Sequence, residues 1–165
     1  MIITTKLTQK DFINISFFLF FRKLTIIFFM SLMVVWFVVY TILNISANKG
    51  SYYDFIPMTV GLSILPLMTY LSAKRNFKAN PRISETIEYH IKQPLLTLKG
   101  ESFTTDYTWN QLYNVNQTRN WVIVWQTRQV ANFIPKRDLS TAQIAELKKI
   151  LDKHLVRNSL GSKNG

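Results

Sequence analysis

The sequence predicts a membrane α-helical hairpin followed by an α+β domain that is mainly antiparallel β and ends in a helix. Three observations support this prediction. Two uncharged apolar runs lie within the first 73 residues, polar and apolar side chains alternate from Ile83 onward, and a final segment repeats apolar residues at helical spacing. Apolar runs of about 20 residues match the thickness of a bilayer, whereas alternation is typical of strands with one buried face.

The composition limits the classes of protein to which the chain can belong. The chain has 165 residues, no cysteine and a net charge of +11. Without cysteine it has no disulfides, thiolate zinc sites, iron–sulfur clusters or cysteine nucleophiles. Much of the positive charge flanks the apolar runs, where anionic headgroups account for it. The anionic inner leaflet of a bilayer is therefore a better expected partner than nucleic acid.

Residues 1–23 are expected to form a short strand and then an interfacial helix, with Thr8 and Asp11 as its N-terminal cap. Residues 24–43 form the first predicted span, because none is charged and every face is apolar. A cleaved secretory signal is one alternative, and the buried core helix of a soluble protein is the other, which is weak because every face is apolar. The run is longer than the apolar region of a signal, and the residues after it are a poor cleavage site, so a retained helix is favoured.

Residues 55–73 form the second predicted span, since they are also uncharged. The polar connector 44–54 is short enough to make the two helices antiparallel neighbours. Pro66, in the interior of the second run, predicts a kink. Small residues that suit close helix contact in this run are Thr59, Gly61 and Ser63.

Positive charges are unequally distributed around the two runs. The connector has only Lys49, which is opposed by Asp54. The flanking cations are Lys6, Lys10, Arg22 and Lys23 before the first run, and Lys74, Arg75, Lys78 and Arg82 after the second. The positive-inside rule therefore predicts a multi-pass protein with both termini in the cytosol and the connector outside.

Residues 83–157 are expected to form a small cytosolic domain with five or six short strands. The segments that predict strands are 85–91, 95–98, 102–107, 112–117, 121–126 and 130–134. Lys99-Gly100-Glu101 predicts a hairpin turn, with Gly100 at the conformationally permissive position. Pro135 ends the last strand because it cannot donate to a ladder.

The segment 140–155 is the clearest soluble helix in the sequence. Ser140 and Gln143 have the pattern of a capping box. The apolar stripe that is expected to face the core contains Ile144, Leu147, Leu151 and Leu155. Residues 158–165 are expected to be a disordered tail.

Three stretches give the chain a resemblance to a known family. They are Trp109-Asn110-Gln111-Leu112, the aromatic strand 121–125 and the block Phe133-Ile134-Pro135-Lys136-Arg137-Asp138-Leu139. In this order, after two apolar runs, they resemble the YcxB-like family of small bacterial membrane proteins. The resemblance implies a pleckstrin-homology-like cytosolic domain, a bent antiparallel sheet closed at one end by the C-terminal helix. It brings no catalytic residues.

The sequence contains no recognisable constellation for catalysis or metal binding. His90 and His154 are too few for a metal site and are expected to be solvated surface residues. Glu85 and Glu88 are three positions apart and cannot share one face of a strand. No glycine-rich phosphate loop, nucleophile elbow or zinc-protease motif occurs. The sequence therefore predicts a protein that is not an enzyme and uses no cofactor.

Basic residues are the candidate binding or membrane-surface site. They are Lys136, Arg137, Arg119, Arg128, Lys148, Lys149 and Lys153. Near an anionic bilayer each such charge contributes on the order of 1 kcal/mol, although a merely solubilising basic face is an equal alternative. The aromatic residues of the sheet are interpreted as core rather than as stacking platforms. The residues assigned a structural role are Trp109, Trp121, Trp125 and Pro135.

These features predict a bacterial membrane protein that presents a cytosolic binding module for a lipid headgroup or another protein. A membrane-anchored immunity protein that antagonises a toxin is a second hypothesis, which the small size and high charge also suit. Transport is disfavoured, because two spans without a buried ionisable residue offer no pathway unless copies of the chain assemble into an oligomer.

Overall fold

The computed structural model describes residues 1–46, 53, 55–92 and 94–161. The chain divides into two compact units. The helical unit contains residues 8–80, and the β unit contains residues 1–7 together with residues 81–165. The fold is therefore α+β, and the β unit is discontinuous in sequence because the whole helical unit is inserted after residue 7.

The helical unit contains helices α1 (Gln9–Phe21), α2 (Leu24–Ser46) and α3 (Phe55–Ala79). The predicted cap of α1 is confirmed. Thr8 Oγ1 accepts a hydrogen bond from the Asp11 backbone N–H at 3.2 Å, and Asp11 Oδ2 accepts one from the Thr8 N–H at 2.9 Å. This reciprocal bonding satisfies two backbone donors and fixes the start of the helix.

Helix α2 is long and apolar enough to cross a membrane, and among the described residues it is the one helix that meets this requirement. Its apolar side chains are largely exposed, including those of Phe28, Trp36 and Leu43. The core helix of a soluble protein would bury such side chains, and α2 does not. The helix begins at the predicted residue and continues beyond the predicted end, to Ser46.

Helix α3 extends beyond the predicted second span, through Lys74 to Ala79, and contains Pro66 in its interior. Gly61 is a point of close approach to α2, because a Cβ atom at this position would lie 2.8 Å from Met33 Cε. A small residue is therefore favoured where the two helices meet. Most of the connector predicted between them lies outside the described residues.

The β unit consists of two antiparallel sheets and a C-terminal helix. The first sheet has the strand order β1-β2-β3-β4, and the second has the order β5-β6-β7. The elements are β1 (Ile2–Lys6), β2 (Thr86–Ile91), β3 (Leu95–Lys99), β4 (Thr104–Thr108), β5 (Asn114–Gln117), β6 (Trp121–Trp125), β7 (Ala131–Pro135) and α4 (Thr141–Lys153). The strands predicted after residue 83 are confirmed, with bounds that shift by one or two residues.

Strand β1 comes from the N-terminal segment and forms one edge of the first sheet. It pairs antiparallel with β2, so that Ile3 lies opposite Tyr89 and Lys6 lies opposite Thr86. The sequence predicts this strand but assigns it to a separate N-terminal segment. Its pairing partner was not evident from the sequence, because the whole helical unit separates β1 from β2 along the chain.

The main core of the β unit combines residues from both sheets and α4. Its members are Ile3, Tyr89, Ile91, Leu96, Leu98, Trp109, Leu112, Val115, Val122, Val124, Ile134, Leu139, Leu147, Leu151, Val156 and Leu160. Strand β6 is buried on both faces. Its valines belong to the main core, whereas Trp121, Ile123 and Trp125 lie on the other face. The interpretation of the β6 tryptophans as core is confirmed, and the valines between them are buried as well.

Helix α4 begins with the predicted capping box, in which Ser140 Oγ accepts from the Gln143 N–H at 3.1 Å and Gln143 Oε1 accepts from the Ser140 N–H at 2.8 Å. The helix ends earlier than predicted, at Lys153. Leu155 has a φ of 55° and is 92% exposed, so the prediction that it belongs to the buried stripe is wrong. Val156 takes its place in the main core.

The segment after α4 returns to the second sheet. Asn158 forms a parallel bridge with Val115, and the Ser159 N–H donates to the Val115 carbonyl at 3.0 Å. Leu160 is buried in the main core. The prediction of a disordered tail is therefore wrong for residues 158–161, because one leucine anchors an otherwise polar segment. Residues 162–165 lie outside the described residues.

Gly100 has a steric role instead of the predicted conformational one. Its φ is not positive; among the described glycines only Gly161 has a positive φ. A Cβ atom at Gly100 would lie 2.5 Å from Phe103 Cε1 and 2.8 Å from Glu85 Oε2. The β3–β4 turn therefore needs the absence of a side chain, and the prediction that it needs the freedom of glycine is wrong.

Candidate binding surface

The predicted basic residues occupy three separate places on the β unit. Arg119 and the turn Lys136–Asp138 lie at one end of the second sheet, and Arg128 lies in the β6–β7 turn at the other end. The three lysines project from α4. The structure therefore does not gather the seven cations into one site.

At the first end of the second sheet, the backbone brings Arg119 close to Lys136. The Asn120 carbonyl accepts a hydrogen bond from the Lys136 N–H at 2.9 Å, next to the strand pair formed by Trp121 and Pro135. Arg119 is exposed and Lys136 is half-buried. Both cations are therefore carried by backbone segments that meet at this end of the sheet.

Arg137 is engaged by the N-terminal strand. Its Nη2 donates to the Lys6 carbonyl at 3.4 Å, and its Nε lies 3.6 Å from Asp138 Oδ1. Asp138 Oδ2 in turn accepts a hydrogen bond of 2.6 Å from the Thr5 hydroxyl. The turn Lys136–Asp138 therefore holds strand β1 in the β unit, a role that the sequence did not indicate.

Arg128 lies over the ring of Tyr113, with its guanidinium carbon 5.8 Å from the ring centroid. Both side chains are exposed. A cation–π contact at such a site contributes about 0.5–1 kcal/mol. The pair is a local surface feature at the end of the sheet opposite Arg119.

The α4 lysine face consists of Lys148, Lys149 and Lys153. All three are exposed, whereas Leu147 and Leu151 of the same helix are buried. Lys149 and Lys153 are four positions apart and lie on one side of the helix, whereas Lys148 lies about 100° away around it. The three lysines therefore form a mainly positive surface on the solvent side of α4, in which the exposed carboxylates Glu146 and Asp152 also lie.

The residues predicted to be structural, Trp109, Trp121, Trp125 and Pro135, are all buried. Trp121 and Trp125 each make an edge contact with Phe133, at centroid distances of 6.3 and 6.4 Å. None of these three tryptophan rings is an exposed platform on which a base could stack.

His154 is not the solvated surface residue that the sequence predicted. Its ring stacks on Trp109 with a centroid distance of 5.8 Å and an interplanar angle of 18°. In the described part of the chain, His154 Nε2 and Trp109 Nε1 are buried without a hydrogen-bond partner. The neighbouring Lys153 suggested that His154 is exposed to solvent, but at the end of α4 the histidine ring packs against Trp109.

Glu88 and Glu85 are each engaged by a polar neighbour. His90 Nε2 lies 2.9 Å from Glu88 Oε2, and no group of three or more histidines and carboxylates within the described residues could hold a metal ion. Glu85 accepts hydrogen bonds from the Ser102 hydroxyl at 2.6 Å and the Ser102 N–H at 3.0 Å. These two bonds, the hydroxyl first, lower the pKa of Glu85 below its ordinary value. The ionised carboxylate fixes the β3–β4 turn.

The elements from β3 to α4 correspond to a known family model. Residues 93–151 match the YcxB-like protein family. No curated protein and no solved structure matches the chain. The match confirms the resemblance inferred from the sequence, and the three stretches that suggested it all lie within the matched residues.

The YcxB-like segment covers part of the β unit. It contains β3 to β7 and most of α4, whereas β1, β2 and the residues after α4 lie outside it. The inferred resemblance extended to the membrane helices, which the match does not reach. The turn Lys136–Asp138 is therefore YcxB-like, while the strand that it holds is outside the matched region.

Proposed function

We propose that this chain is a non-enzymatic integral protein of the bacterial cytoplasmic membrane that presents a pleckstrin-homology-like binding module in the cytosol. One observation carries the proposal. Strand β1 pairs with β2, although the whole helical unit lies between them in the sequence. The chain leaves the β unit and returns to the same sheet.

The β1–β2 pairing limits the membrane topology. A sheet with exposed strand positions such as Thr4 and Lys99 belongs in water, so the two paired strands lie on the same side of any membrane. If α2 crosses the bilayer, the chain must cross back before Pro81. The uncharged part of helix α3, residues 55–73, is about as long as the roughly 30 Å hydrocarbon core is thick. The pairing therefore supports two crossings.

The distribution of charge supports a cytosolic position for the β unit. Arg22 and Lys23 directly precede α2, and Lys74, Arg75 and Lys78 lie in the last part of α3. Cytoplasmic flanks of membrane helices carry such an excess of cations. Cleavage of the chain after α2, as in a secretory signal, would remove β1 from its sheet, so the pairing also supports a retained helix.

The architecture of the β unit supports a pleckstrin-homology-like module. A four-stranded and a three-stranded antiparallel sheet are followed by the C-terminal helix α4, as the YcxB-like resemblance implies. Exposed cations at Arg119 and on the α4 lysine face give the module a positive surface. Such a surface suits an anionic headgroup or an acidic protein partner.

Cysteine accessibility tests the proposed topology. The chain has no cysteine, so Ala47→Cys in the connector and Ser162→Cys near the C-terminus each introduce one thiol. In intact spheroplasts, a membrane-impermeant maleimide is expected to label residue 47. It is expected to label residue 162 only after the membrane is permeabilised. Labelling of residue 162 before permeabilisation would contradict the cytosolic position of the β unit.

A further inference from the structure

Leu155 combines two unfavourable features in a surface position. Its φ of 55° places a non-glycine residue in the left-handed region, where Cβ crowds the neighbouring carbonyl oxygen. Its side chain is also 92% exposed, so the apolar surface gains nothing from burial. Glycine at this position would remove both costs. A strained residue that the fold itself does not require is a reason to look for a function.

The backbone around Leu155 is firmly bonded. The Val156 N–H donates to the Leu151 carbonyl at 2.9 Å, and the Leu155 N–H donates to the Asp152 carbonyl at 3.2 Å. This pair of bonds is a Schellman motif, in which the residue that follows the helix cap is left-handed. Val156 and Leu151 both belong to the main core. The burial of Leu151 and Val156 therefore fixes the motif, and the side chain of Leu155 projects into solvent.

Cations surround this exposed leucine. Lys153 and Arg157, two positions before and after it, are both exposed, and the rest of the α4 lysine face lies one turn earlier. Asp152 is the one carboxylate between residues 148 and 157. Its Oδ1 accepts a hydrogen bond from Asn158 Nδ2 at 2.9 Å. The end of α4 is therefore a positive surface with a single projecting apolar side chain.

We propose that Leu155 and the α4 lysine face form a docking surface for an anionic lipid bilayer. Leu155 enters the boundary between headgroups and acyl chains, and the lysines contact lipid phosphates. An apolar side chain beside Lys and Arg residues is the combination that binds membrane interfaces. An acidic protein groove offers similar chemistry. The bilayer is favoured because α2 of the same chain is long and apolar enough to lie in a membrane.

Because this inference rests on the proposed function, the experiment uses the full chain in lipid nanodiscs. The lack of native cysteine allows Leu155→Cys to carry a single environment-sensitive fluorophore. In nanodiscs that contain phosphatidylglycerol, we expect a shift of its emission to shorter wavelength and quenching by doxyl-labelled lipid. In pure phosphatidylcholine we expect neither. Ala142→Cys, at an exposed position near the start of α4, is the matched control and should respond in neither lipid.

Charge removal tests the contribution of the lysines. In the labelled Leu155→Cys protein, the combined change Lys148→Gln, Lys149→Gln and Lys153→Gln is expected to abolish the quenching, since each lysine near an anionic surface changes binding by about fivefold. Lys92→Gln with Lys99→Gln, which removes two exposed lysines elsewhere on the β unit, should leave it unchanged. Equal loss in both sets would overturn a specific role for the α4 lysine face.

A second probe separates failure of this inference from failure of the proposed function. Val38→Cys places the fluorophore on an exposed position of α2, where doxyl lipid should quench it in every nanodisc. A quenched probe at residue 38 with an unresponsive probe at residue 155 overturns the docking surface and leaves the membrane span intact. A shift of the residue 155 emission to shorter wavelength without quenching by doxyl lipid indicates a protein contact and also overturns the docking surface. An unquenched residue 38 overturns the proposed function.

Discussion

The Thr5 hydroxyl donates a hydrogen bond of 2.6 Å to Asp138, a residue 133 positions away in the sequence. Beside it, Arg137 donates to the Lys6 carbonyl. These two contacts fasten strand β1 to the YcxB-like segment, just before the chain continues into the helical unit. The block that most resembles the family thus completes the discontinuous β unit.

Removal of the Thr5 hydroxyl is expected to destabilise the β unit. Thr5→Val preserves the shape of a buried side chain but takes a donor from the Asp138 carboxylate, which should lower the free energy of unfolding by about 1–3 kcal/mol. Urea unfolding of the detergent-solubilised protein, followed by tryptophan fluorescence, measures this change. Thr4→Val, at an exposed position of the same strand, should remain within about 0.5 kcal/mol of the wild type. Equal losses in the two variants would contradict a specific Thr5–Asp138 contribution.

Glycine at position 155 is expected to stabilise the protein. Leu155→Gly removes the left-handed strain of a non-glycine residue and should raise the free energy of unfolding by about 1 kcal/mol. Leu155→Ala keeps that strain and should change stability little. Destabilisation by glycine would show that the leucine side chain supports the fold.

Leu160 is expected to anchor the C-terminal segment. Leu160→Ala opens a cavity in the main core and should lower the free energy of unfolding by about 2–5 kcal/mol. The matched control is Leu155→Ala, the same change at an exposed leucine. Chemical denaturation of both variants gives the comparison. Similar small effects at the two positions would mean that residues 158–161 are not packed against the second sheet.

Acid is expected to weaken the β3–β4 turn through Glu85. Its folded-state pKa lies below the ordinary value of 4.5, because the Ser102 hydroxyl and N–H bind the ionised carboxylate. The stabilisation is therefore fully present above the unfolded-state pKa and is lost as the pH falls through the folded-state pKa. Glu85→Gln should be less stable than the wild type at pH 7.

Glu85→Gln and the wild type should converge in stability as the pH falls below about 4.5, because protonation of Glu85 removes its charged interaction with Ser102 from the wild type. Thermal unfolding across a pH series provides the measurement. Glu146→Gln, at an exposed position of α4, is the control and should leave the pH profile unchanged. A pH-independent difference between Glu85→Gln and the wild type would contradict the stated cause.

The helix starts and the strands, which depend on neighbouring residues, were predicted correctly from the sequence, whereas the end of α4 and the role of Gly100 were not. The capping boxes at Thr8 and Ser140 use residues three positions apart, and the alternation after Ile83 follows from the pleat of single strands. The long apolar run that became α2 is equally local. For these features the chemistry that fixes the structure lies within one turn or one strand.

Features that depend on distant residues were not predicted. The pairing of β1 with β2, the contact of Arg137 with Lys6 and the stacking of His154 on Trp109 each join parts of the chain that are far apart in sequence. A basic residue before a helix and a histidine beside a lysine both indicate solvent when only their neighbours are considered. Tertiary packing gave Arg137 and His154 different surroundings.

An engineered disulfide tests most directly whether β1 and β2 pair across the inserted helical unit. Thr4 and Glu88 lie opposite each other in the register. Opposite Cα atoms of antiparallel strands are about 4.5–5.5 Å apart, which fits disulfide geometry. Thr4→Cys with Lys92→Cys, four residues out of register, is the control at roughly 13 Å.

Both cysteine pairs are oxidised mildly in native membranes, and the chain is then cut at a protease site engineered into the connector. The account predicts that the Thr4→Cys, Glu88→Cys protein stays joined until it is reduced, while the control separates into two fragments. Separation of both proteins would contradict the β1–β2 pairing in the membrane and, with it, the two-crossing topology.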